Sequence, residues 1–424
     1  MKSNRIIFSI AVLVVLTSFA VRAQQLVVHE WGTFTSVQGS NGVLLDWRPL
    51  LTSDLPKFVY DRSKRNLEFQ QSWYYEKFGI AARQRMETPV IYFYTDEETS
   101  VDVSVKFPQG LITEWYPRVR DFGPWLSQPG RPAPELKDGF LRWGKVKLFP
   151  AAKNPALAKE LRTENIQSHY WPARETDAAY VRICDTGVNN VTTYEHEKFL
   201  FYRGVGSFST PMKVSTQMSS THMRAVLENT GSGDLSGLIV MTLRDGKGQF
   251  QKLNALKAGE SIETALENDS SWLPKSDFVS ELGKSMTDAL VGQGLYKAEA
   301  LAMVKTWQDS WFEEDGTRVF YLLPQAWTDS ALPLTLNPKP KELVRVMVGR
   351  AELLTSEMEL SIEKNISNLG DANFDLREQA ASNLKKLGRF TEPALKRVAE
   401  ASADPEIRNR AGELLKGLAR VSPR

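Results

Sequence analysis

Ser100-Val101-Asp102-Val103-Ser104-Val105-Lys106-Phe107 alternates without a break, with the valines and Phe107 on one side and Asp102, Ser104 and Lys106 on the other. Successive side chains of a β-strand point to opposite faces, so this period of two predicts a half-buried strand in an antiparallel sheet. Similar runs surround it at residues 89–94, 110–116, 140–149, 198–205, 222–227 and 237–243. Asp245-Gly246 reads as a two-residue hairpin turn, with 248–253 as the returning strand. Gly231-Ser232-Gly233-Asp234 follows a strand and opens no helix, so it reads as a hairpin loop and not as a phosphate cradle. Many short strands with few helix-period windows predict a mainly β region over residues 24–270, an antiparallel β-sandwich built as one large or two small units.

From Pro274 the period lengthens. Phe278, Leu282, Met286 and Leu290 recur every four residues, which predicts an amphipathic helix closed by Gly292 and Gly294. A second helix is expected over 297–311, with Leu301, Val304 and Trp311 on one face. Strand character returns at 318–323 and 343–353, on either side of a stretch holding Pro333, Pro338 and Pro340. Residues 271–355 therefore read as a helical insertion whose flanking strands rejoin the β region.

After Thr355 the pattern is helical to the end, opened by Ser356-Glu357-Met358-Glu359 in capping-box form. Leu376-Arg377, Ala380, Leu384 and Leu387 recur 31 residues later as Ile407-Arg408, Ala411, Leu415 and Leu418. Asn373 and Asp404 fall at matching cap positions, and Gly388 ends the first unit. Residues 357–420 thus resemble HEAT-type repeats, stacked helix pairs that share a core with their neighbours. Two units are fewer than the three or so that a free solenoid needs, so one face of this all-α tail (356–424) is expected to pack on the β region or on a protein partner.

Residues 1–23 combine a basic start (Lys2, Arg5), an apolar run over 6–20 and the small-residue ending Val21-Arg22-Ala23, the three parts of a secretory signal. That run falls short of the roughly 20 residues a membrane span requires. The expected product is exported, periplasmic or extracellular, with no transmembrane segment after cleavage. Its intact mass should correspond to a chain beginning at Gln24; a mature protein retaining 1–23 would overturn export. The whole chain holds 53 basic and 51 acidic residues, but three of the basic ones (Lys2, Arg5, Arg22) lie in the signal. The remaining 50 against 51 leave no positive field for phosphate backbones, which argues against nucleic acid as a partner. Cys184 is the single cysteine, so no internal disulfide forms, and its place in a strand-like run predicts a small buried hydrophobe.

His29-Glu30-Trp31-Gly32-Thr33-Phe34-Thr35-Ser36-Val37 resembles the opening of a family of exported bacterial proteins of uncharacterised function. Further resemblance lies in Met86-Glu87-Thr88-Pro89-Val90, in Phe107-Pro108-Gln109-Gly110-Leu111 and in Phe199-Leu200-Phe201-Tyr202-Arg203-Gly204-Val205-Gly206. The resemblance implies export and a common β architecture, and it carries no activity.

Read as chemistry, His29-Glu30 lacks the second histidine one helical turn on that a zincin requires, and on a strand the two side chains point to opposite faces. His29 is therefore expected to be a hydrogen-bonded core histidine. Glu195-His196-Glu197 is the richest cluster, its carboxylates on one strand face and His196 on the other, with a solvated edge as the expected role of the carboxylates. Glu87 and Glu114 are a candidate carboxylate pair for glycoside hydrolysis. Gly-x-Ser-x-Gly and the Walker loop are absent. Eleven tryptophans include the clusters Trp73-Tyr74-Tyr75, Trp115-Tyr116 and Tyr170-Trp171, core fillers if buried and platforms for carbohydrate or protein if exposed.

These features favour a soluble, non-catalytic binding or scaffolding protein. The competing reading is a hydrolase of envelope or extracellular polymers that uses His29, Glu30, His196, Glu197 and Arg203, and it requires those residues to converge. The four histidines (His29, His169, His196, His222) have no ligand spacing, so no cofactor and no stoichiometric zinc are expected. Elemental analysis checks this; about one zinc per chain, lost on replacing His29 or His196 by alanine, would promote the hydrolase.

Overall fold

The computed structural model describes residues 26–50, 55–62, 80–124, 135–163, 168–186, 192–218, 223–267 and 271–418. Residues 1–23, expected above to form a secretory signal, lie outside these residues, as do Trp73-Tyr74-Tyr75 and His222. In chain order the first strands are β1 (Val27–Gln38), β2 (Tyr60–Asp61), β3 (Gln84–Tyr94), β4 (Thr99–Phe107), β5 (Gly110–Tyr116), β6 (Asp121–Gly123) and β7 (Gly139–Phe149). After short 3-10 turns come β8 (Tyr180–Thr186), β9 (Thr192–Glu197), β10 (Leu200–Gly206), β11 (Met212–Met218) and β12 (Met223–Asn229). Next are β13 (Ser236–Arg244), β14 (Lys247–Lys252), β15 (Ser261–Ala265) and β16 (Leu273–Pro274). Helices α1 (Lys275–Gly292) and α2 (Lys297–Gln308) precede β17 (Gly316–Leu323), α3 (Gln325–Ala331), β18 (Leu334–Asn337) and β19 (Glu342–Leu353). Helices α4 (Ser356–Asn368), α5 (Phe374–Leu387), α6 (Glu392–Ala401) and α7 (Pro405–Leu418) follow. With 40% strand against 32% helix the chain is mainly β, with a C-terminal helical region.

The strands form three sheets. Ten lie in the order β16-β14-β13-β17-β19-β1-β3-β10-β5-β2, a second sheet runs β18-β4-β7-β8-β9 with β6 beside β7, and β11-β12-β15 make the third. β4 carries the alternation of residues 100–107, with Val101, Val103, Val105 and Phe107 buried and Asp102 and Lys106 exposed. Asp245 and Gly246, at φ +51° and +73°, join β13 to β14 as a two-residue hairpin in the left-handed conformations such a turn demands. One expectation fails at the centre of the large sheet: β1 pairs with β3 antiparallel but with β19 in parallel, Val27 opposite Glu342 through Gln38 opposite Leu353. The long excursion between the two strands permits a parallel crossover that a hairpin cannot make.

Both faces of the large sheet are covered. On one, Val28, Phe34, Ile91 and Phe93 share a core with the β4 valines, with Leu141 and Val146 of β7, and with Val214 and Leu227 of the three-stranded sheet. On the other, Trp31, Tyr92, Phe201, Val346 and Val348 pack with Phe278, Leu282, Met286 and Leu290 of α1 and with Ala300, Met303, Val304 and Trp307 of α2. Val304 and Trp311 are buried as expected, but Leu301 is 39% exposed. The buried stripe of α2 runs through 300, 303, 304 and 307, a 3–4 spacing from which 301 is displaced, and a π-turn over Asp309–Glu313 resets the phase before Trp311.

Three further expectations are corrected. Thr355, not Ser356, caps α4, its hydroxyl accepting from the Met358 amide. Residues 231–234 connect β12 in one sheet to β13 in another and so close no hairpin. Cys184 is exposed, because the alternation of β8 turns Val181 and Ile183 inward and leaves Cys184 on the outer face. In the tail, Asn373 and Asp404 accept amide hydrogen bonds at the starts of α5 and α7. Arg377 and Arg408 each donate to a carbonyl six residues upstream, at Asp371 and Ser402. Val37, Trp47 and Leu354 join the helical core, which also holds Ile362, Leu384, Leu395 and Leu414. Among the described residues no helix is long and apolar enough to cross a membrane.

Candidate functional site

The five side chains on which a hydrolase would depend are engaged separately. His29 and Glu30 leave opposite faces of β1. His29 is fully buried on the helix-covered face, its Nδ1 2.8 Å from Glu299 Oε2 of α2, while Tyr94 donates to Glu299 Oε1 at 2.7 Å. Glu30 is buried on the other face, accepting from Arg345 Nε at 2.6 Å and from the Tyr202 hydroxyl at 2.7 Å. Arg345 continues this chain to Asp329 of α3 at 2.8 Å. Arg203 faces Glu114 at 3.5 Å, both fully buried. Glu87 accepts from Thr35 at 2.9 Å and pairs with Arg85 at 3.0 Å. The candidate carboxylate pair is therefore split: Glu87 sits on β3 and Glu114 on β5, with β10 between them.

The Glu195-His196-Glu197 cluster is not a solvated edge. Glu195 accepts from the Tyr60 hydroxyl at 2.7 Å and from the Arg118 amide at 2.6 Å. Glu197 is 2% exposed and clamped by Arg174 through Nε at 2.8 Å and Nη2 at 2.5 Å, with the Lys198 amide adding a third bond. His196 points the other way, accepting from Arg182 at 3.3 Å and lying 3.1 Å from Glu160. Burial, then the Arg182 charge, lowers its basicity against the opposing pull of Glu160. Lys198, held against the Ala178 carbonyl, has its ammonium pushed down to about 8 by burial, partly offset by Asp177 and Glu197.

A hollow opens on the helix-covered face of the large sheet. Trp31, Phe58, Tyr116, Trp171, Phe199 and Phe201 form its aromatic walls, and Thr88, Thr306 and Glu197 supply the polar side chains. β1, β3, β5 and β10 position one wall, the segment 55–59 a second, and the 3-10 turn Trp171–Arg174 a third, anchored by the Tyr92 hydroxyl on the Ala173 carbonyl at 2.7 Å. Arg174 lies 4.2 Å above the Trp171 ring while it holds Glu197, so this carboxylate enters the wall already neutralised. Burial, followed by the charges of Glu195 and Glu197, raises the Tyr116 phenol far above its ordinary value, which keeps it protonated.

Thr88 occupies the bulge of β3. The β1–β3 register passes from Trp31 opposite Val90 to Thr33 opposite Glu87, and Thr88 takes φ +39°, a left-handed conformation costly for a β-branched residue. Gly32 lies against this bulge because a Cβ there would meet Met347 Sδ at 2.9 Å and Pro89 Cα at 3.0 Å.

Of the expected residues only Glu197 lines the hollow, with Trp171, Tyr116 and Tyr170 from the aromatic clusters; Trp115 is buried in the opposite core. Phe58, Arg174 and Thr306 were missed, since nothing local marks them, whereas the Tyr170-Trp171 pair was a usable signal. Among the described residues no three His, Cys, Asp or Glu side chains are grouped to hold a metal ion.

No family model matches the chain, and no curated protein matches it. Among solved structures, the yeast delta-COP-I mu-homology domain aligns at 7% identity and a TM-score of 0.27, covering 78% of this chain and 97% of that one. The same domain complexed with a Dsl1 WxWxV peptide aligns at 8% identity and a TM-score of 0.24, covering 78% and 96%. Likeness at this level carries no argument about fold or function.

Proposed function

We propose that the protein is exported and works outside the cytoplasm as a non-catalytic binding protein, with the aromatic hollow as its ligand site. The observation that carries this reading is the dispersal of His29, Glu30, His196, Glu197 and Arg203 into separate ion pairs and hydrogen-bond networks. General acid–base work needs a titratable group free to reach substrate, and Glu197, the carboxylate on the hollow among the described residues, is occupied by Arg174. The signal-like residues 1–23 and the resemblance to exported bacterial proteins support the location.

In this reading the ten- and six-stranded sheets, which share one core, act as a β-sandwich body. The C-terminal helices act as HEAT-type pairs, supported by the matching caps and arginine bonds 31 residues apart, and exposed Leu360, Phe374 and Leu376 offer apolar surface to a protein partner. Purified mature protein, incubated with fluorogenic ester, glycoside and peptide substrates, should show no turnover above buffer. Turnover that disappears in Glu197→Gln would overturn this reading in favour of a hydrolase.

A further inference from the structure

The described lining of the hollow includes two hydroxyls that the fold itself does not use. The hydroxyls of Thr88 and Thr306 are buried and have no hydrogen-bond partner, and both residues line the hollow. Thr88 is 1% exposed and Thr306 lies among the fully buried residues of α2. Leaving a buried hydroxyl unpaired is costly, so a protein without use for these groups gains by placing valine there. Thr88 carries a second cost, the positive φ of its bulge, and strained backbone of this kind collects at ligand clamps. The two hydroxyls come from different elements, β3 and α2, and border one space among aromatic walls.

We infer that the hollow binds a small, uncharged planar aromatic molecule bearing a hydroxyl-type substituent, which Thr88 and Thr306 read by hydrogen bonding. This rests on the binding reading above and specifies its ligand class. The walls suit a flat ring, since Trp31, Phe58, Tyr116 and Trp171 line the hollow and Phe58 already meets Tyr116 edge-on and Trp171 in a stack. The ligand is uncharged because the charged side chain among the described lining residues, Glu197, is already neutralised by Arg174, while Arg162 stands 5.8 Å over the Phe58 ring as a cation–π partner. A threonine hydroxyl both donates and accepts, so a pair of them matches a phenol-type hydroxyl, which does the same.

Isothermal titration of the full mature chain with 2-naphthol, naphthalene and 2-naphthylmethylammonium tests this. 2-Naphthol should bind most tightly. Thr306→Val and Thr88→Val should each weaken 2-naphthol roughly three- to tenfold, the worth of one neutral hydrogen bond, and leave naphthalene unchanged. Their thermal midpoints should hold or rise, because each removes an unpaired buried hydroxyl; a merely structural hydroxyl would lower the midpoint instead. Trp171→Ala should weaken both neutral probes. Equal binding of 2-naphthol and naphthalene to the unmodified chain would overturn the hydroxyl readout and leave the aromatic binding site standing. Preference for the ammonium would overturn the inference in favour of a cation read by Glu197. Binding of none of the three would remove the inference together with the hollow as ligand site.

Discussion

Replacing Glu352 by glutamine should destabilise the protein by about 3–5 kcal/mol, the usual cost of breaking a buried ion pair from one side. Glu352 is fully buried and faces three arginines: Arg318 Nε at 2.9 Å, Arg350 Nε at 2.6 Å and Arg389 Nη2 at 3.1 Å. Glu314, half-exposed, reaches Arg389 at 3.2 Å and Arg318 at 3.5 Å and completes the cluster. With two carboxylates against three guanidiniums the cluster already has one positive charge in excess, and the substitution leaves two. The arginines act against burial to hold the Glu352 carboxyl far below its ordinary 4.5. A carboxylate whose folded pKa is depressed contributes stability that is complete above the unfolded value and is lost as pH falls toward the folded one. The urea midpoint of the unmodified protein should therefore decline from about pH 5 downward, with Glu87, also depressed by its arginines, contributing to the fall. Glu352→Gln should lower the neutral-pH midpoint and flatten the decline. An unchanged midpoint at pH 7 would show that the cluster contributes no net stability.

A chain ending at Thr355 should keep its β core, lose helical circular dichroism and become prone to aggregation. Among the described residues, the two large cores contain none beyond Leu353, which is why the sheets survive. The third core loses Ile362, Leu369, Leu384 and Leu395 and leaves Val37, Trp47 and Leu354 facing water. At about 1.5–3 kcal/mol for each buried side chain, the exposed trio alone forfeits on the order of 5 kcal/mol. Polar ties go with it: Arg48 loses Glu392 at 3.0 Å and the Leu415 carbonyl at 2.9 Å, Ser40 loses Glu359, and Glu352 loses Arg389. Circular dichroism with size-exclusion chromatography would read the outcome. Complete unfolding would show that the helices finish the main core, and an unaltered elution profile would show that the exposed trio is not sticky.

Strand and helix positions were legible because burial on one face leaves a local period: β4 in its alternation, α1 in Phe278, Leu282, Met286 and Leu290, the β13–β14 turn in Asp245-Gly246. Caps at Asn373 and Asp404 were legible for the same reason, since a capping side chain acts within three residues of itself. β1 shows where this stops. All of it except Val27 is buried, so alternation separates His29 from Glu30 without saying what covers either face. Their partners, Glu299 and Arg345, stand 270 and 315 residues away, and β19 joins β1 in parallel across a similar distance. The period likewise placed Glu195 and Glu197 on one face but left Arg174 and Tyr60 unseen, which turned an expected solvated edge into two engaged carboxylates. Sequence by itself determined which residues share a face, because the backbone imposes that period within a few residues. Only the tertiary structure decided what each face meets, because hydrogen bonds and ion pairs act over about 3 Å of space regardless of the length of chain between the groups they join.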